Sequence, residues 1–109
     1  MKYYLAVDLG ASSGRHIVGY EKDGEIVLDE VYRFPNGMKE QGGHLVWDTD
    51  EIFSHVKNGI KCALKKYKTI ESMSIDTWGV DYMLLNGVWD FTYFKSEHDI
   101  PEKIVYRTK

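Results

Sequence analysis

Apolar and polar positions follow a strand-like rhythm at the start of the chain, a helical rhythm in the middle and a strand-like one again afterwards. Residues 3–7 (Tyr3-Tyr4-Leu5-Ala6-Val7) are β-formers that run into Asp8, and residues 15–20 carry the β-branched and aromatic His16-Ile17-Val18-Gly19-Tyr20. Both read as strands. Asp23-Gly24 is a strong turn signal, and residues 25–34 alternate as a third strand, with Ile26, Leu28, Tyr32 and Phe34 expected on one face. Pro35-Asn36-Gly37 ends that strand, and a polar loop runs through Gly42-Gly43 to Leu45-Val46-Trp47, which is expected to pair briefly.

Asp48 then supplies an N-cap, with Glu51 three residues on forming a capping-box pair and Asp50 favoured by the helix dipole. The helix that follows has an apolar stripe of Ile52, Val56, Ile60, Ala63, Leu64 and Tyr67. Lys57, Lys61 and Lys65 fall on the wet side, and Lys65, Lys66 and Lys68 complement the C-terminus. His55 beside the stripe reads as a boundary histidine, since no other ligand-type residue pairs with it at metal spacing. Residues 70–76 are expected as a fourth strand and residues 80–85 as a fifth, closed by Asn86-Gly87. Residues 88–94 fit an edge strand and residues 96–102 a solvated loop.

Size and charge narrow the functional classes. At 109 residues the chain is about one domain. Its net charge is −3, from 14 basic and 17 acidic residues, without a basic run, so nucleic acid and anionic membrane surfaces are poor partners. A hydrophobic content of 43% and an aromatic content of 14% mark a folded chain. The lone Cys62, placed on the helix, forms no internal disulfide. With no leader-like start and no apolar run of membrane length, a cytoplasmic location is expected.

Two clusters carry candidate chemistry. In Asp8-Leu9-Gly10-Ala11-Ser12-Ser13-Gly14-Arg15 a carboxylate at a strand end, suited to a hydrated Mg²⁺, meets a small-residue turn. Gly10 and Gly14 are expected to allow positive φ and close backbone approach, so that N–H groups of residues 11–15 converge on an anionic oxygen. Ser12 and Ser13 add hydroxyl donors and Arg15 a fixed charge. The same residues also fit a plain β-hairpin turn. The string is neither a Walker-type loop, since the Lys is missing, nor a strand-to-helix glycine turn, since it opens onto a strand.

The second cluster, Ser74-Ile75-Asp76-Thr77-Trp78-Gly79-Val80-Asp81-Tyr82, combines carboxylates, a hydroxyl, an indole and a glycine. Carboxylates accept from vicinal hydroxyls and an aromatic face packs on the C–H side of a sugar, although a strand, a bend and a core tryptophan account for the same string. The order β-β-β-α-β is the start of a partial actin-like (ribonuclease-H-like) α/β domain with a mixed sheet. In that topology the first and fourth strands are parallel neighbours, which brings Asp8 and Asp76 to one sheet edge about 5 Å apart.

The strings 6–15, Tyr32-Arg33-Phe34-Pro35-Asn36-Gly37, Val46-Trp47-Asp48 and 75–82 together resemble the N-terminal portion of the FGGY carbohydrate kinases, in particular the rhamnulokinase branch, across residues 4–85. The resemblance implies an ATP-dependent kinase that phosphorylates L-rhamnulose between two actin-like domains. It makes Ala11, Ser12, Ser13, Gly14 and Arg15 the ATP phosphate loop, turns Asp8 toward magnesium, and lines the ketose site with Gly79, Trp78 and Asp76. Residues 1–85 would be part of the first actin-like domain and residues 86–109 a divergent tail without a family role. The family's general base and second domain lie beyond this stretch, so no catalytic residue is expected here and the chain alone is expected to be inactive. His98-Asp99 comes too early to be the family's base, and Tyr106-Arg107-Thr108 lacks the family's Asp. L-Fuculokinase or another FGGY ketose kinase, and a non-catalytic sugar- or nucleotide-binding module, are the alternatives. Oligomeric state is not legible.

Overall fold

The first alternating stretch forms an antiparallel hairpin. β1 (Tyr4–Leu9) and β2 (Ser13–Lys22) pair from Tyr4 opposite Gly19 to Leu9 opposite Gly14. Asp23 and Gly24, at φ 54° and 80°, have the two positive φ values that a tight turn between right-twisted strands requires. They return the chain into β3 (Glu25–Pro35), antiparallel to β2. A small hairpin of β4 (Lys39–Gln41) and β5 (His44–Val46) follows, turning at Gly42 and Gly43 with positive φ. This computed structural model describes residues 1–79 and, beyond them, the backbone of residues 84–85 and 91–92.

The helix α1 (Thr49–Tyr67) starts where the capping signal places it: Asp48 Oδ1 accepts the N–H of Glu51 at 3.0 Å. It ends at Lys68, which takes a positive φ of 68° and donates its N–H to the Leu64 carbonyl at 2.9 Å. β6 (Ser72–Thr77) then lies parallel to β1, with Asp8 opposite Asp76, and completes a sheet in the order β3-β2-β1-β6. This is the expected mixed-sheet α/β architecture, with the crossover helix packed on one face. A further antiparallel pair, β7 (Leu84–Leu85) with β8 (Phe91–Thr92), belongs to a second compact unit, Gly79–Lys109, separate from Met1–Trp78. The rest of the strands expected over 80–85 and 88–94, and the loop over 96–102, lies outside the described residues.

Between sheet and helix, Leu5 and Val7 from β1, Val18 from β2, and Val56 and Ala63 from α1 form the buried core. Tyr3, Tyr20 and Tyr67 close one end of it, with Tyr3 centred 5.2 Å from Tyr20 and 4.6 Å from Tyr67. Asp29 caps that tyrosine cluster, accepting from Lys66 Nζ at 2.6 Å and from the Tyr67 hydroxyl. The Lys66 bond, then the Tyr67 bond, holds the Asp29 carboxyl below its usual range, and Asp29 in turn pushes the Tyr67 hydroxyl up.

Two expectations are corrected by packing. Strict alternation would keep Ile26, Leu28, Tyr32 and Phe34 on one face, but β3 shifts register against His16 and Ile17. Glu30 pairs with Ile17 and Tyr32 with His16, leaving Val31 as the extra residue. That bulge reverses the alternation. Tyr32 and Phe34 therefore turn toward α1, whereas Ile26 and Leu28 lie on the uncovered face, 73% and 70% exposed. On the helix, Leu64 drops out of the stripe at 42% exposed, and Gly59 is buried instead.

The reason for Gly59 is His16. The imidazole has no exposed surface, and its Nε2–H donates to the Val56 carbonyl at 3.0 Å. A Cβ on Gly59 would lie 2.2 Å from the ring, so the glycine is the slot into which the histidine fits. Nδ1 has no partner among the described residues. Burial pushes the His16 pKa below its ordinary 6.5, which makes stability depend on pH with a definite sign. Below about pH 6.5 the unfolded chain takes up a proton that the folded chain refuses, so stability falls with acidification. Chemical denaturation between pH 8 and 5 is expected to show a level free energy down to about pH 6.5 and a decline below it, and His16→Leu to flatten the decline. An unchanged slope in His16→Leu would assign the effect to other groups.

Candidate functional site

The register of the sheet lines up a row of charge on the face away from α1. Asp76, Asp8, Arg15 and Arg33 are successive cross-strand partners on β6, β1, β2 and β3. Within the row, Arg15 Nη2 donates to Asp8 Oδ2 at 2.6 Å, and at its end Arg33 Nε donates along β3 to Glu30 Oε1 at 2.5 Å. Both pairs are substantially exposed, so solvent screening leaves each with little net contribution to stability. Their effect is on position. Arg15 and Asp8 hold opposite charges side by side at the mouth of the β1–β2 turn.

That turn is a tight hairpin, closed by the Gly10 N–H donating to the Ser13 carbonyl at 2.9 Å. Neither Gly10 nor Gly14 takes positive φ, contrary to expectation; both are small because something else approaches them. A Cβ on Gly10 would meet the Ser13 carbonyl oxygen at 2.7 Å, and one on Gly14 would meet the Phe34 ring at 2.2 Å. Phe34 is the cross-strand partner of Gly14, covers it, and stacks on His55 with centroids 4.3 Å apart and planes 4° from parallel. Ser13, Gly14 and Arg15 are thereby built into β2, and Ala11 and Ser12 form the exposed tip. Among the described residues no acceptor takes the backbone N–H of either tip residue. A hairpin and an anion-binding turn are thus compatible descriptions of this backbone.

Asp76 is exposed at the end of β6, where its Oδ1 accepts the N–H of Thr77 at 3.0 Å. Trp78 follows and packs on Trp47, ring centroids 4.3 Å apart and tilted 39°. Gly79 is the first residue of the second unit. The structure thus brings Asp8, Arg15 and Asp76 to one end of the sheet, with Ala11 and Ser12 at the adjoining turn. His55 occupies the expected boundary position, hydrogen-bonded through Nδ1 to the Tyr32 hydroxyl at 2.6 Å.

Asn36 and Trp47 lie in strings that carry the resemblance, but neither is assigned a site role from the sequence. Asn36 read as a strand terminator, yet its N–H donates to the Ser12 carbonyl at 3.0 Å and its Nδ2 to the Gly10 carbonyl at 3.0 Å. A side-chain amide beside a glycine, just after a strand that returns to the turn, was the available signal. A pocket of about 260 Å³ lies between the β3–β4 connection and the first turns of α1, lined by Asn36, Lys39, Asp48, Glu51 and His55 among others. None of the residues expected to bind phosphate, metal or ketose lines it.

The donor set suits a phosphate group: two tip amides, the exposed Ser12 hydroxyl and the Arg15 guanidinium. Among the described residues there is no cluster of three or more His, Cys, Asp or Glu that would cage a metal. The single half-exposed carboxylate of Asp8 suits a cation that keeps most of its water, as Mg²⁺ does. No helix among the described residues is long and apolar enough to cross a membrane.

A mixed sheet ordered β3-β2-β1-β6, with β1 and β6 parallel and α1 between them in sequence, is part of an actin-like α/β domain. Within that class, the chain is related in sequence to the rhamnulokinases over most of its length. It is 46% identical over 82 residues to the rhamnulokinase of Bacteroides thetaiotaomicron, covering 75% of this chain and 17% of that protein. Identity to the Halalkalibacterium halodurans rhamnulokinase is 44% over 109 residues, covering 98% of this chain and 21% of the relative. For Lactiplantibacillus plantarum the figures are 38% over 109 residues, 100% and 21%. The chain therefore spans about a fifth of the length of these relatives. No family model matches it.

Proposed function

We propose that this chain is the phosphate-gripping portion of a cytoplasmic, ATP- and Mg²⁺-dependent sugar kinase that converts L-rhamnulose to L-rhamnulose 1-phosphate. The observation that carries the reading is the in-register placement of Asp8, Arg15 and Asp76 beside the exposed Ala11-Ser12 tip, in a chain similar to rhamnulokinases. Phosphoryl transfer demands little covalent work from the protein and much charge neutralisation and alignment. Ala11 and Ser12 offer their amides, Ser12 and Ser13 their hydroxyls, and Arg15 its guanidinium to the phosphate oxygens, with Gly14 leaving room for Phe34 behind them. Asp8 would hold hydrated Mg²⁺, which supplies further neutralisation of phosphate charge when bound. In this reading Arg15 and Asp8 exchange their mutual ion pair for the anion and the cation, so the pair keeps both groups extended toward the site. Asp76 accepts from ketose hydroxyls, Trp78 packs on the sugar's C–H face with Trp47 behind it, and Gly79 admits close approach. The general base and the second half of the cleft belong to the remainder of such a kinase, and without them the chain has no turnover.

The test is a chimaera in which these 109 residues replace the corresponding stretch of the Halalkalibacterium halodurans rhamnulokinase, 44% identical to them. It is expected to phosphorylate L-rhamnulose with ATP, faster than it does L-fuculose, while the isolated chain releases no ketose-dependent ADP. A folded but inactive chimaera would remove the kinase role. Equal rates with the two sugars would remove the preference for L-rhamnulose, and ADP release by the isolated chain would remove its dependence on the remainder.

A further inference from the structure

The turn that carries the phosphate donors is not held by its own strand pair alone. The carbonyls of Gly10 and Ser12 are both taken by one residue, delivered to the turn by the neighbouring strand β3. Asn36 follows the last residue of β3, which pairs with Ser13 at the start of β2. Its backbone N–H donates to the Ser12 oxygen and its Nδ2 to the Gly10 oxygen, both at 3.0 Å, and the side chain is partly buried. A carbonyl and the N–H of the following residue belong to one rigid peptide plane. Fixing the Gly10 and Ser12 carbonyls therefore fixes the planes containing the Ala11 and Ser13 amides, and with them the tip between.

On the reading given above, we infer that Asn36 is a positioning residue for the phosphate turn: a two-point brace that orients the Ala11 amide directly, and the Ser12 amide through the planes held on either side of it, without touching the nucleotide. The side chain is suited to this in a way its neighbours in size are not. Aspartate has no donor for the Gly10 carbonyl and would set charge against it, and alanine keeps the backbone bond to Ser12 while losing the bond to Gly10. The Phe34–Gly14 contact adds to the placement, because the chain leaves β3 with Phe34 seated over Gly14 two residues before Asn36 reaches the turn.

The experiment uses the 109-residue chain and two measurements by amide NMR. The first, without nucleotide, is hydrogen exchange at the Gly10 amide, which closes the turn onto Ser13, with the Ile52 amide bonded to Asp48 as a distant control. Loss of one hydrogen bond predicts exchange about five- to tenfold faster at Gly10 in Asn36→Ala, more in Asn36→Asp, and unchanged at Ile52. The second is titration with Mg·ATP, read from the Ala11 and Ser12 amides. Half-saturation is expected to rise about five- to tenfold in Asn36→Ala and further in Asn36→Asp. Unaltered Gly10 exchange would overturn the brace. Faster exchange with unmoved half-saturation would reduce Asn36 to a structural contact and overturn the positioning role. If the unsubstituted chain shows no Mg·ATP response at Ala11 and Ser12, the phosphate reading itself fails and the positioning role with it, while Gly10 exchange still reports separately on the brace.

Discussion

Asp8→Ala in the chimaeric kinase is expected to lower kcat for L-rhamnulose by about a hundredfold, the scale at which loss of one preorganised electrostatic group is felt in transition-state stabilisation. Stability is expected to change little. The carboxylate is about half exposed and its ion pair with Arg15 is a surface pair, worth on the order of 0–1 kcal/mol. The KM for ATP provides a second sign. Removing Asp8 leaves Arg15 without its 2.6 Å partner, so the guanidinium meets the phosphates without first giving up an ion pair, and KM should not rise with the fall in kcat. Steady-state kinetics with a thermal melt check all three. Unchanged turnover would take Asp8 out of the site, and a large loss of melting temperature with unchanged kcat would make it a structural residue.

Gly14→Ala is expected to destabilise the fold by about 2–3 kcal/mol, at the upper end of ordinary overpacking costs. The added methyl carbon would sit 2.2 Å from the Phe34 ring, and Phe34 is itself buried and stacked on His55, so the ring has little room to yield. A gain in strand propensity from replacing glycine is smaller, within about 1 kcal/mol. Packing therefore decides the sign. Phe34→Ala alone should cost about 3–5 kcal/mol for the cavity it leaves. In that background Gly14→Ala should cost almost nothing, giving a coupling of about 2 kcal/mol in a double-mutant cycle. Urea denaturation measures it. Additive costs would show that the ring accommodates the methyl and that Gly14 is small for another reason.

Several parts of this molecule were open to a reader of the chain alone. Asp23-Gly24 specifies its turn because both residues accept positive φ, and Asp48 with Glu51 specifies the start of α1 because an N-cap oxygen and an amide N–H three residues on meet locally. The β1–β2–β3 succession and the helix follow from such signals, and the parallel placement of β6 beside β1 follows once the strand order is recognised. Asp8 and Asp76 could be assigned to one sheet edge on that basis.

What escaped the sequence required knowing which distant residue fills which space. The reversal of β3 depends on one extra residue, Val31, and nothing in the local pattern of Ile26, Leu28, Tyr32 and Phe34 reveals it. Gly14 and Gly59 look like flexible positions, but Phe34 and His16 demand their smallness from elsewhere in the chain. His16 reads as one more strand residue until the helix carbonyl of Val56 is placed beside it. Asn36 reads as a strand terminator until β3 delivers it to the β1–β2 turn.

The sequence by itself determined the local elements and their caps, and the chemical inventory at Asp8, at the Gly10–Gly14 turn and around Asp76, because backbone propensity and side-chain donors act over a few residues. The tertiary structure decided how that inventory is presented. It joined Arg15 to Asp8, put Ala11 and Ser12 at the tip with Ser13, Gly14 and Arg15 in the ladder, and set Asn36 as the brace behind them. Register, burial and steric exclusion are properties of chain segments brought together, and they exist only once the sheet has closed.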